Sequence, residues 1–190
     1  FIRRAGHAVA HAAKKMLGGS YGRRVVIIAG PGNNGNDGRI AGEWLAEWGA
    51  QIELLSVEDC ATSFLNPSNA DLVIDAAFGI GFRGQWSPPI VFDVPVLAVD
   101  IPSGLDGSTG VVSGGVIPAD RTVTFAAVKT GMLFGDGPSV CGEIDVVDVG
   151  IDPVDNVETY IVESHDVAAW LPPRSRAAHK WNHSVRVIAG

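Results

Sequence analysis

The stretch RVVIIAGPGNNGNDGRIAGEWLAEWG, residues 24–49, decides the fold class. Its first six residues, Arg24 to Ala29, are a continuous run rich in β-branched side chains, the pattern of a parallel strand buried on both faces. A Gly-rich turn follows at once. From Asp37 to Gly49 the apolar residues Ile40, Leu45 and Trp48 return at helical spacing. QIELLSV, residues 51–57, reads as the next strand, so residues 24–57 make one βαβ unit.

Upstream, residues 3–17 (RRAGHAVAHAAKKML) set Ala5, Val9, Ala12, Ala13 and Met16 on one helical face, and Gly18-Gly19 stops the pattern. Downstream, ADLVID (70–75), VPVLAVD (94–100), RTVTFA (121–126) and IDVVDV (144–149) read as further strands separated by Gly-rich loops. The alternation implies an α/β fold, a Rossmann-like three-layer αβα sandwich around a mostly parallel sheet. Open parallel sheets bind ligands beyond the carboxyl ends of their strands. Function is therefore sought on one rim made by residues 30–38, 75–85, 100–107 and 126–137.

Bulk properties narrow the partner. The chain has 190 residues, 46% hydrophobic and 18% charged, which suits one globular domain with a real core. A formal net charge of -7 argues against general affinity for nucleic acid or for an anionic membrane surface. No apolar run reaches the roughly 18–20 residues of a membrane span, and the opening residues lack a secretory h-region followed by a cleavage site, so a soluble protein is expected. Cys60 and Cys141 lack CxxC spacing, so neither a disulfide framework nor a thiolate metal site is suggested and a reducing cytoplasm is the expected setting. The chain opens at Phe1 without Met and stops in VRVIAG, so a fragment is expected at both ends. LPPRSRAA (171–178) resembles a linker.

The rim residues carry the chemistry. GPGNNG (30–35) matches GxGxxG between a strand and a helix, where glycines permit close approach and helix amides face an anion such as a pyrophosphate. The bland alternative is an Asn/Gly turn with Asp37 as a plain N-cap. Asn33, Asn34, Asn36 and Asp37, however, supply far more polar groups than a turn needs. Arg83, in the second loop, is weighed equally as a phosphate partner and as a solvated surface residue. In the third loop Asp100 ends a strand with Ser103 three residues on, and a purely structural Asp100–Ser103 cap is the competing reading. Oxygen donors without thiolates or paired histidines suit a hard cation better than zinc. His7, His11, His165, His179 and His183 lie outside the rim, and Ser103 sits outside any GxSxG elbow, so carboxylate acid/base chemistry remains.

The successive motifs GPGNNGNDG (30–38), DAAFGIGFRG (75–84), VDIPSGLDGSTG (99–110) and TFAAVKTGM (124–132) resemble those of NAD(P)H-hydrate epimerases over about residues 4–150. HKWNHSVRVIAG (179–190) resembles the opening of the ADP- or ATP-dependent dehydratase domain fused behind the epimerase in bifunctional repair enzymes. This implies an epimerase domain over 1–170, a linker over 171–180 and the first strand of a truncated dehydratase domain over 181–190. The resemblance further implies that Asn33, Asn34, Gly35, Asn36 and Asp37 contact a hydrated nicotinamide nucleotide (NADHX or NADPHX). Gly79, Ile80, Gly81, Phe82, Arg83, Gly84 and Gln85 would hold its phosphates. Asn34, Asp75 and Ser103 would bind a potassium ion. Asp100 would contact the hydrated ring and act as acid/base, with Lys129 assisting. A homo-oligomer is expected, with the dehydratase in cis in the parent chain. Asn36 stands where such epimerases commonly have Gly, a position expected to need a positive φ that Asn tolerates. Two other classes stay open: a nicotinamide-dependent oxidoreductase, with Glu58 as a weak ribose acid, and a non-catalytic nucleotide-binding domain.

Overall fold

The structure, a computed structural model, describes residues 2–151 and 160–171. The chain divides into two compact units, residues 1–153 and 154–190. The first unit is built on a six-stranded sheet in the order β2-β1-β4-β6-β7-β8, every pairing parallel. Its strands are β1 (Arg24–Ala29), β2 (Gln51–Leu55), β4 (Leu72–Ala76), β6 (Val96–Val99), β7 (Arg121–Phe125) and β8 (Glu143–Val147). β3 (Phe64–Leu65) and β5 (Ile90–Val91) pair in a separate small sheet. This is the expected α/β architecture. Among the described residues no helix is long and apolar enough to cross a membrane.

The pleat divides each buried strand between two cores. Val25 and Ile27 enter a cluster with Val9, Ala13, Ala41 and Leu45. Those four residues come from α1 (Ile2–Met16) and α2 (Asn33–Glu47), which cover that face. Val26 and Ile28 enter the opposite cluster with Cys60, Leu65, Val73 and Ile117, where short segments and loops supply the cover. A third cluster joins Ile101, Leu105 and Met132 to Val140 of α3 (Gly137–Val140) under the rim. In the second unit, α4 (Ser164–Trp170) opens with a capping box between Glu163 and Asp166. Apart from Leu171, the expected linker and dehydratase strand fall outside the described residues.

The main departure from the sequence reading concerns where α2 begins. Its N-cap is Gly32, with no side-chain cap, and the helix starts at Asn33, four residues before Asp37. Asp37 is therefore no N-cap, and the first rim loop shrinks to Gly30–Gly32. Asn36 donates its amide to the Gly32 carbonyl at 3.1 Å as part of the opening turn. It is absent from the positive-φ residues, so the expected left-handed conformation does not occur there.

Sterics explain the early start. A Cβ on Gly35 would lie 1.8 Å from the Gly30 carbonyl oxygen, and one on Gly30 would lie 1.8 Å from that of Ala77. The helix can follow the strand directly because neither residue has a side chain. Arg39 then reaches back to donate to the Gly30 carbonyl at 2.9 Å. We expect Gly35→Ala to lower stability by about 2–4 kcal/mol, since the overpacked contact is with backbone. Gly32→Ala, in open space, should cost within about 1 kcal/mol. Denaturant melts of both variants check this, and equal effects would contradict the packing argument.

Candidate functional site

The carboxyl ends of β1, β4, β6 and β7 gather around a cleft of about 700 Å³, within the range of ligand pockets. Nine of the sequence-derived site residues line it: Asn33, Asn34, Asp37, Gly79, Ile80, Gly81, Phe82, Asp100 and Lys129. Asp75 and Ser103 do not line it and are fully buried. Gly35 is consumed in the contact with Gly30, and Asn36 points away as an exposed residue. Arg83, Gly84 and Gln85 are exposed and lie outside the lining.

Asp75 and Ser103 form one unit. Ser103 donates its amide to one Asp75 carboxylate oxygen at 2.8 Å and its hydroxyl to the other at 2.5 Å. The Ser103 Oγ in turn accepts the Phe78 amide at 2.8 Å. The carboxylate that holds Ser103 is thus Asp75 and not Asp100, which overturns the Asp100–Ser103 cap. Burial pushes the Asp75 carboxyl up to about 6, against the lowering effect of those hydrogen bonds.

Asp100 sits at the end of β6 in the left-handed region, φ 68°, and Ala126 at the end of β7 does the same, φ 64°. Non-glycine residues in that region cost of order 1–2 kcal/mol and gather at functional sites. Asp100 forms an ion pair with Lys129. Thr124 bridges them, accepting from the Lys129 Nζ at 2.7 Å and donating to Asp100 at 3.3 Å, while Lys129 also donates to the Phe125 carbonyl at 3.0 Å. Both charged side chains are mostly withdrawn from solvent.

Asp37 and Asn34 complete the wall. Asp37 is 8% exposed, and its Oδ1 has no hydrogen-bond partner. Burial, and next the charge of Asp100, push its carboxyl up to about 6. Asn34 is equally buried, and neither its oxygen nor its nitrogen finds a partner. Unsatisfied buried amide groups are costly, so these atoms call for a partner from outside the protein. The described residues hold no cluster of three or more His, Cys, Asp or Glu suited to a metal. The oxygens of Asn34, Asp75 and Ser103 are of the chemical type that hard cations prefer.

Arg83 donates back to the carbonyls of Phe82 and Ile80 at 2.8 and 3.2 Å, with Asp106 3.9 Å away. It closes its own loop while its side chain stays 72% exposed. Glu58 is exposed in the turn beyond β2 and does not line the cleft. Three contributors escaped the sequence reading. Thr124 could have been suspected as a polar residue within a buried strand. Phe78, stacked on Phe82 with ring centroids 4.0 Å apart, lies in an expected rim loop but is not singled out by the sequence, and Phe125 reads there only as part of a strand.

The family model for the YjeF-related protein N-terminus matches residues 1–64 and 55–131. A protein of Weissella koreensis named NAD(P)H-hydrate epimerase is 36% identical over 67% of this chain and 71% of its own length. Proteins of Hyperthermus butylicus and Escherichia coli, both named bifunctional NAD(P)H-hydrate repair enzyme, are 36% and 32% identical over 100% and 88% of the chain. The chain spans only 41% and 39% of their lengths. The crystal structure of yeast ynu0 (YNL200c) shares the fold, with a TM-score of 0.57 at 20% identity, covering 93% of this chain and 86% of its own. On the family model and the epimerase relative together, this chain belongs to the YjeF-related N-terminal domain family.

Proposed function

We propose that this chain interconverts the R and S forms of hydrated nicotinamide nucleotides, NADHX and NADPHX. The observation that carries the reading is the cleft itself, which places the Asp100–Lys129 ion pair and the buried Asp37 together at the strand ends. Membership of a family with a relative named NAD(P)H-hydrate epimerase supports it. The first turn of α2 and the loop Gly79 to Phe82 would contact the nucleotide, with helix amides available to its phosphates. Gly84 and Gln85 would join only where the nucleotide extends beyond the cleft.

The substrate carbon bearing the hydroxyl is bonded to the ring nitrogen. Expulsion of that hydroxyl by the nitrogen lone pair leaves a cationic conjugated ring, to which water adds on the other face. Asp100, paired with Lys129, would supply the anionic half of the acid/base work, stabilising the cationic ring and taking a proton from incoming water. Lys129 and Thr124 hold its carboxylate in position.

A potassium ion fits the oxygens of Asn34, Asp75 and Ser103, because Asn34 is unsatisfied and Asp75 is buried without a cationic partner among the described residues. Bound there, it would supply fixed positive charge that steadies the loops. The parent chain, about two and a half times longer in the bifunctional relatives, would carry in cis a dehydratase that uses ADP or ATP. The cytoplasm and a homo-oligomeric state are the accompanying proposals.

In a chromatographic assay the purified chain should accelerate R-to-S interconversion over an enzyme-free control. Asp100→Asn should lower that rate by roughly 10² to 10⁴ with the fold intact, and an undiminished rate would remove Asp100 from the chemistry.

Potassium should also stabilise the fold in a pH-dependent way. Asp75 ionises near 6 in the folded chain against 3.8 unfolded. Its charge therefore costs stability progressively as pH rises from about 4 to about 6, and a bound cation offsets that loss. Replacing lithium by potassium at a hundredfold excess over Kd should raise Tm by roughly 5–10 °C at pH 7.5. The gain should shrink below pH 5 and vanish in Asp75→Asn. Thermal melts showing no potassium-specific gain would count against the site.

A further inference from the structure

We infer that Asp37 is the proton donor of the reaction, protonating the departing hydroxyl, while Asp100 stays the ion-paired anion beside the ring. The inference rests on the epimerase reading above and assigns the half of the proton chemistry that Asp100 is badly placed to perform. Two carboxylates line one cleft in opposite surroundings. Asp100 is held by the Lys129 ammonium and the Thr124 hydroxyl. Asp37 has no ion pair among the described residues, and one of its oxygens is buried without any partner. A lone buried oxygen on the wall of a ligand cleft is satisfied by a ligand. When two acids share a site, such a difference of environment divides the work between acid and base.

The groups around Asp37 sharpen the division. Asp100, paired with Lys129, lines the same cleft, and its charge disfavours a second anion there. α1 meets α2 at this level through Gly6, whose Cβ position lies 3.0 Å from the Asp37 carbonyl oxygen, and the positive charge of the amino terminus, the smallest of the three influences, opposes burial and Asp100. β4 below contributes Asp75, already tied to Ser103. Burial and Asp100 together hold the Asp37 carboxyl near 6, so a useful protonated fraction persists toward neutral pH.

The step balances. The Asp37 carboxyl gives its proton to the ring hydroxyl, and the C–O bond breaks with its electron pair leaving on water. The ring nitrogen's lone pair forms the C=N bond, giving a cation beside the Asp100 carboxylate and an Asp37 carboxylate. Water then adds to the other face, forming the new C–O bond. Its surplus proton passes to Asp100 and through solvent back to Asp37. One water leaves and one enters.

The test is steady-state kinetics of the full chain in potassium buffer from pH 5 to 9, comparing wild type, Asp37→Asn and Asp100→Asn. Wild-type kcat should fall as pH rises through about 6, because the acid form of Asp37 is lost. Asp37→Asn should lower kcat roughly 10² to 10⁴-fold, leave KM little changed, and abolish that limb. Asp100→Asn should be slow yet keep the limb. If Asp37→Asn does not fold, Asp37→Glu takes its place and should retain a limb at a displaced pH. Wild-type kcat with an intact limb in Asp37→Asn, or an unmoved limb in Asp37→Glu, overturns the assignment alone. A wild-type chain that gives no acceleration at any pH overturns the epimerase reading and this inference with it.

Discussion

The contact on which the molecule turns is the meeting of two glycines, where the Gly30 carbonyl sits against the backbone of Gly35. A side chain on Gly35 would push α2 off the end of β1, and one on Gly30 would strike the neighbouring Ala77 backbone. Because neither is present, only three residues separate the strand from the helix, whose opening delivers Asn34 and Asp37 to the cleft. Arg39 fastens the same junction from within the helix by donating to Gly30 and Ala29 carbonyls. Rigid backbone packing, more than loop flexibility, positions these polar groups.

Electrostatics then differentiates groups that sequence alone would treat as equals. Asp37, Asp75 and Asp100 are three carboxylates at or near neighbouring strand ends. Asp75 is spent on Ser103, Asp100 is paired with Lys129, and Asp37 keeps an unsatisfied oxygen. Low-dielectric surroundings make these differences chemically large. A reaction that forms a cationic ring benefits from an anion fixed beforehand, since little reorganisation is needed when charge develops. The left-handed turns at Asp100 and Ala126 are consistent with backbone strain held at a working site.

Much of this was legible in the sequence because hydrophobic continuity and glycine punctuation report directly on buried parallel strands. RVVIIA coincides with β1, VPVLAVD and RTVTFA enclose β6 and β7, and ADLVID overlaps β4 but starts two residues early and stops one residue short. The rim position of Asp100, Lys129 and Asp37 followed from the strand ends alone. The start of α2 was misread because Asn and Gly have poor helix propensity, and only the three-dimensional contact between Gly30 and Gly35 overrides it. The direct Asp75–Ser103 hydrogen bond was hidden from residue spacing, and only the family resemblance grouped the two residues. It joins residues 28 apart, whereas the sequence pattern suggested the nearer Asp100. Thr124 was masked by its place in an apolar strand.

The central claim is that the ring hydroxyl leaves and water returns within this cleft. Running the epimerisation in ¹⁸O-labelled water and following the product by mass spectrometry tests it most directly. The account requires one labelled oxygen gained for each enzymatic inversion, at the rate of inversion itself and above the enzyme-free exchange. Inversion with the original oxygen retained would contradict departure of the hydroxyl and, with it, the roles given to Asp37 and Asp100.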